Sequence, residues 1–414
     1  MMAKSTFPRR TVLTALAGAG AAALVGCEPA RRPPTAIPDP LLVDLDGGVG
    51  LLRGTDRETI PHAVAAPDGR VVHATASEGA DTACWRLDVS TGHTSQHVTL
   101  PGRWVPQTVS TDGSLVALTP DAVSVTAARP GPRDVTPVLV VDSDGIRHRL
   151  RLPGNVVPEA FTDDRSGLFV LEWLPPHAPD RYRVRVVDLA TGTAAALSTR
   201  DKRPVPAGAE EEMRGDGRQA VLAPNRTILY TLYTHQPDHQ HTRDLVSGRP
   251  GDVHAFVHTL HLGGRWAYCI DLPHPFGEGP ANGHAMALSP DGSRLLVTDV
   301  TSGAVAEIST EELTVRRTAT LAGGTGPAYA VADRDRLIVG AGRTLRVVDL
   351  AGLRVAAERP VRDPVTGLLR GPGGARLYVG QDAAVSWHDP TTAEEVGRAA
   401  VPGLAGLCAP AVPA

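Results

Sequence analysis

The chain is 414 residues long, carries a formal charge of −4, and is 42% hydrophobic but only 4% aromatic. Its 43 glycines and 36 prolines leave little room for long helices and suit many short strands joined by turns. The mild, dispersed charge offers no footprint for nucleic acid or an acidic substrate, and beyond the N-terminus no apolar run reaches the length of about 18 residues that a membrane helix needs.

Residues 1–27 have a basic start, a short Ala/Leu/Gly-rich apolar stretch and a small-residue end, the pattern of an export signal. Arg9-Arg10, followed by Thr11-Val12-Leu13, resembles a twin-arginine signal, which implies export of an already folded protein. Leu24-Val25-Gly26-Cys27 resembles the bacterial lipobox, which implies removal of residues 1–26 and lipidation of Cys27. Two or three acyl chains, at about 0.8 kcal/mol per buried methylene, hold a protein stably on a membrane. Residues 27–40 then form a Pro-rich, semi-rigid tether. The expectation is an exported lipoprotein, anchored on the extracytoplasmic side of the cell membrane, with its folded domain over residues 41–414. With Cys27 lipidated, Cys84, Cys269 and Cys408 remain, an odd number that permits one disulfide at most. Buried free thiols are expected, with a Cys84–Cys408 bridge as the alternative.

Along the body of the chain one turn recurs. It reads Ala66-Pro67-Asp68-Gly69, then Ser110-Thr111-Asp112-Gly113, Asp163 to Gly167, Ala223-Pro224-Asn225-Arg226, Ser289-Pro290-Asp291-Gly292, Ala332 to Asp335, and Gly371-Pro372-Gly373-Gly374. Each is flanked by short apolar strands, and a second Asp-containing turn follows in most copies, as at Asp88–Gly92 and Asp188–Gly192. His284–Thr320 is the clearest copy, four short strands separated by three turns. A four-stranded unit of roughly 40 residues cannot bury both its faces alone and needs copies of itself on either side. Leu41–Arg53 reads as a hairpin without such a first turn, completing a blade with Gly403–Cys408. These units resemble a β-propeller of the YVTN, lactonase-like or WD40-like kind. The expected fold is therefore all-β with seven four-stranded blades, six or eight remaining open, and a ring closed by strands from both ends of the chain.

In such a blade the B–C and D–A connections share one face. On that face fall 120–137, 175–181, 199–217, 234–252 and 273–283. Loops on a rigid scaffold commonly carry function, so this face is the expected binding surface. The 234–252 insertion and the strand after it are rich in histidine. His239 and His241, with Asp244 and Asp252 near, could meet His254, a set suited to zinc, copper or iron. His254 and His258 share a strand face but lie about 13 Å apart, too far to share an ion. His62 and His284 stand at equivalent starts of innermost strands, near the channel mouth. His284 also resembles the Gly-His of WD40 blades, which implies a supporting hydrogen-bond role. Glu210-Glu211-Glu212 reads as a solvated acidic loop, and no nucleophile elbow, phosphate loop or dinucleotide turn occurs in suitable context. The expected function is a non-catalytic binding module for a protein or small molecule, with no organic cofactor and a metal ion left open. The alternative is a propeller enzyme, lactonase-like or metal-dependent, working at the channel mouth.

Overall fold

The computed structural model describes residues 35–120, 129–214 and 218–410. Arg9, Arg10, Cys27 and most of the tether lie outside the described residues, as does part of the 120–137 loop.

The strands pair into eight sheets, antiparallel but for one short rim strand, each a propeller blade. Blades one to seven follow in chain order, over residues 63–100, 105–153, 155–196, 219–271, 284–320, 328–360 and 365–400. The eighth joins the two ends of the chain: Leu404–Pro410 pairs with Ile37–Leu45, followed outward by Gly48–Gly54 and Asp56–Ile60. The count among the described residues is thus eight, one of the numbers left open beside the favoured seven. Seven first turns exist because the closing blade has chain ends where its A–B turn would stand, so counting turns undercounts blades by one. The closing strand also begins at Ile37, ahead of the expected boundary at Leu41.

The recurring turn is held by its own side chains. Ser289 Oγ donates to Asp291 Oδ1 at 2.6 Å, which also accepts the Ser293 N–H at 3.0 Å. The same pattern recurs at Ser110/Asp112 and Thr162/Asp164. These bonds, the one to Ser289 foremost, hold the Asp291 carboxyl down at about 2. Middle strands such as Arg294–Asp299 are buried along nearly their whole length, while the rim strands Thr314–Thr320 and Arg354–Pro360 alternate between exposed and half-buried. The core lies between blades. Each hydrophobic cluster among the described residues is shared by two neighbours, as where Leu232 and Val257 of blade four meet Leu295 and Val297 of blade five. Burial of a leucine of this kind is worth about 2–3 kcal/mol.

Blade four differs from the rest. Its four strands, β3 (Gln219–Leu222), β4 (Ile228–Tyr233), β5 (Phe256–His261) and β6 (Trp266–Asp271), carry a fifth at the rim. That strand, β2 (Ser198–Thr199), pairs parallel to β6 as the chain leaves blade three. The chain then returns inward along β1 (Arg181–Asp188), the third strand of blade three, where Tyr182 and Met213 form an isolated bridge. Between β4 and β5 the insertion folds into a short helix, α1 (Thr242–Ser247), stopped by Gly248 in the left-handed conformation.

The three cysteines in the described residues are free; Cys84 and Cys269 are buried and Cys408 is exposed. Burial of the third thiol was expected and is not found: Cys408 lies on Leu404–Pro410, an edge strand of the closing blade.

Candidate metal centre in the fourth blade

The four-residue connection between β5 and β6 sets a register that places His258 opposite Cys269 and Phe256 opposite Asp271. Alternation on β6 then turns Cys269 and Asp271 to one side of the sheet. The returning segment lays Glu210-Glu211-Glu212 across this surface, and the insertion brings down His241 at the N-cap of α1.

The three glutamates alternate in direction, which is the organising fact of the site. Glu210 turns toward β1 and takes hydrogen bonds from Arg183 at 3.3 Å and Arg185 at 3.0 Å, and Glu212 pairs with Arg181 at 2.5 Å. Glu211 turns the other way. Its Oε2 lies 3.2 Å from His241 Nδ1 and accepts the Thr242 N–H at 3.1 Å, and its Oε1 accepts the Cys269 thiol at 2.8 Å. The expected solvated acidic loop is therefore not there: two of the glutamates are paired with arginines and the side chain of the third is only 13% exposed.

Glu211, His241 and Cys269 bring one donor atom each within 4.8 Å of one another. The other ring nitrogen of His241, Nε2, lies 2.6 Å from Asp271 Oδ1, and Arg243 bonds the second oxygen of Asp271. His241 is 2% exposed. Burial opposes its charge, but the hydrogen bonds to Asp271 and Glu211 prevail and raise its pKa to about 9. Burial likewise opposes the Glu211 charge, yet the His241 bond and charge hold that carboxyl well below the usual range. Burial, reinforced by Glu211, pushes the Cys269 thiol well above its ordinary value. Two more imidazoles border the cluster, His239 and His258, both held neutral by burial with pKa values of about 4. The His239 ring stacks on Phe256 at 4.4 Å and meets His241 edge-on at 4.7 Å, and its buried Nε2 has no hydrogen-bond partner. A cavity of about 580 Å³ opens over Glu211, His241, His258 and Cys269.

The structure brings only His239 and His241 of the expected ligand set to this cluster. Asp244 is spent on the helix start, accepting the His241 backbone N–H at 3.1 Å. His254 packs edge-on against His274 at 4.5 Å instead of meeting the loop histidines. His62 is exposed at a backbone φ of 46°. His284 is fully buried; its Nε2 accepts the Gly277 N–H at 3.0 Å and its Nδ1 bonds the Pro280 carbonyl at 3.1 Å. These bonds tie down the connection between blades four and five. The cluster sits among the outer strands of blade four, away from the innermost strands at which His62 and His284 begin, so the channel mouth does not collect these donors. Sequence reading missed Glu211, Cys269 and Asp271. The signal for Cys269 was present, because the Gly263-Gly264 hairpin fixes its register opposite His258.

No family model and no curated protein matches the chain. Solved structures are similar. Apo AztD from Citrobacter koseri superposes with a TM-score of 0.52 at 11% identity, over 89% of this chain and 95% of that one. A second structure of Citrobacter koseri AztD gives 0.51 at 12% identity, over 88% and 95%. The dihydro-heme d1 dehydrogenase NirN in complex with DHE gives 0.49 at 14% identity, over 92% and 77%. At such identities the likeness to the two AztD structures shows a shared fold and nothing finer.

Proposed function

We propose that the chain is a non-catalytic binding module that takes up a divalent cation of the zinc class on Glu211, His241 and Cys269. The observation that carries this reading is the convergence of a carboxylate, an imidazole and a thiol within 4.8 Å at the floor of an open cavity. A tetrahedral zinc site with bonds of about 2.0–2.3 Å spaces its donors about 3.3–3.8 Å apart, so small adjustments suffice. The donor set is borderline-soft, which favours zinc over calcium or magnesium. Asp271 on His241 Nε2 supplies the carboxylate–histidine support that metal-ligating imidazoles usually have, and leaves Nδ1 to face the other donors. Charge also balances. The cluster with Asp271 and Arg243 is neutral when His241 and Cys269 carry their protons, and a dication that displaces both protons leaves it neutral again.

An open cavity above three donors also suits a metal hydrolase. Against that reading, Glu210 is locked by Arg183 and Arg185, and Asp271 by His241 and Arg243. The Arg9-Arg10 and Cys27 motifs support placing this module outside the cytoplasm on a lipid anchor, with its insertion-bearing face as the binding surface.

Calorimetry with zinc and absorption spectra of the cobalt-loaded protein test the proposal. One equivalent of zinc binds, and cobalt gives a thiolate charge-transfer band that Cys269→Ser abolishes while His241→Ala weakens binding at least about tenfold. Absence of stoichiometric zinc binding, or binding indifferent to both substitutions, refutes it. Mass spectrometry of the mature N-terminus tests the anchor; an unmodified Cys27 sinks that part.

A further inference from the structure

The cavity over the cluster has a lining whose chemistry is not explained by a metal ion, which fills only a small part of about 580 Å³. That volume lies within the range of roughly 300–1,000 Å³ for small-molecule sites. Much of its wall is apolar, with Leu197, Val205 and Val246 among the contributors. Val246 is 59% exposed, one of few large hydrophobic side chains left so among the described residues, and α1 buries none of its residues. With Leu197 and Val205 it gives the cavity an apolar wall against which a hydrocarbon body could pack.

The charged lining is Arg200, Asp201, Arg203, Glu210, Glu211 and Arg243. Three of these are satisfied internally: Glu210 by Arg183 and Arg185, Glu211 by His241, and Arg243 by Asp271. Arg200 and Arg203 then stand against Asp201, an excess of one positive charge. Arg200 is also held in place without meeting a carboxylate. Its guanidinium donates to the carbonyl oxygens of Glu311 and Glu312, at 3.4 and 3.1 Å, and lies 5.6 Å from the centroid of the Tyr268 ring. A guanidinium fixed by neutral partners keeps its full charge and its remaining N–H donors for an anion, with little ordering cost on binding.

We infer that this cavity binds a small organic carboxylate with an apolar body, its carboxylate on Arg200 and its hydrocarbon against Leu197, Val205 and Val246. The ligand is held by the cavity walls and does not rest on the metal reading, although it would lie directly above the donors.

Octanoate, octylammonium and 1-octanol serve as probes, titrated calorimetrically into the chain from residue 28 onward. Octanoate binds at one equivalent, and octylammonium binds at least about tenfold more weakly, the usual worth of a charge-assisted pair. Arg200→Gln lowers octanoate affinity about tenfold and brings it level with 1-octanol, and Val246→Glu, on an exposed helix position, abolishes it. Cys269→Ser leaves octanoate binding intact even if it removes zinc binding, which separates the two proposals. Equal affinity for octanoate and octylammonium, or wild-type octanoate binding by both Arg200→Gln and Val246→Glu, overturns the inference. So does octanoate binding that vanishes in Cys269→Ser.

Discussion

Substituting Glu211 by glutamine keeps the side-chain shape and removes the charge that the His241 imidazolium faces at 3.2 Å. Both groups are shielded from solvent, so the pair belongs to the class whose breakage costs about 3–5 kcal/mol, because an uncompensated charge is left behind. The sign of the pH dependence follows from His241, whose pKa is raised from 6.5 to about 9 in the folded protein. Its contribution is fully present below 6.5 and is lost as pH rises through 9. A shift of that size is worth about 3 kcal/mol when fully developed. Urea unfolding in the presence of a chelator, followed by tryptophan fluorescence from pH 6.5 to 10, reads both effects. At pH 7 the Glu211→Gln midpoint falls by about 1 M relative to wild type. The wild-type midpoint declines toward pH 9.5, and the variant declines less, since only Asp271 still supports the charged ring. A variant as stable as wild type at pH 7, or a wild-type midpoint flat from pH 6.5 to 9.5, refutes the claim that a charged pair holds this cluster together.

Further outcomes follow from other features. Asp271→Asn weakens zinc binding about 10–100-fold without removing a donor, measured by chelator competition. On the acid side, burial keeps His239 and His258 neutral with pKa values of about 4, below the ordinary 6.5. The unfolded chain takes up their protons first, so metal-free stability falls as pH drops from 6.5 toward 4, giving a maximum near neutrality in thermal scans. Gly303→Ala destabilises far more than Gly47→Ala in urea titrations. Both sit at positive φ, but the added Cβ at 303 would lie 2.1 Å from the Leu321 carbonyl oxygen, whereas at 47 it meets nothing within 4 Å. Leu42→Ala, at a fully buried position of the closing blade, costs about 2–5 kcal/mol by the same assay.

Much of the fold was legible because its signals are local. Ser289-Pro290-Asp291-Gly292 makes its turn with its own side chains, so the motif can be read without knowing any distant contact. The closing blade was legible too, from Leu41–Arg53 and Gly403–Cys408, but it dropped out of the count because its pairing of Ile37–Leu45 with Leu404–Pro410 needs no turn. At the site, the histidines of the insertion were visible as a cluster in the sequence, while their partners were not. A run of three glutamates looks solvated until a facing strand is known. Arg181, Arg183 and Arg185, alternating along one strand, take two of the three and leave the third to point inward. His284 and His62 show the converse. Equivalent positions in the repeat ended in different environments, one fully buried and one exposed, because only His284 has the 272–283 connection folded over it.

The strand that completes the eighth blade has a consequence in time. Leu404–Pro410 is the last part of the described chain to be made, and its partner, Ile37–Leu45, is the first. Until that strand arrives, the backbone edge of Leu41–Leu45 stays unpaired, and the most non-local contact in the molecule is missing. A chain interrupted before residue 404 can assemble blades one to seven and still leaves the Ile37–Leu45 edge unpaired. Completion of the ring is thus a single late event that separates finished molecules from unfinished ones. Truncation before Leu404 yields a species that self-associates through that edge, which light scattering detects as growth in size with concentration.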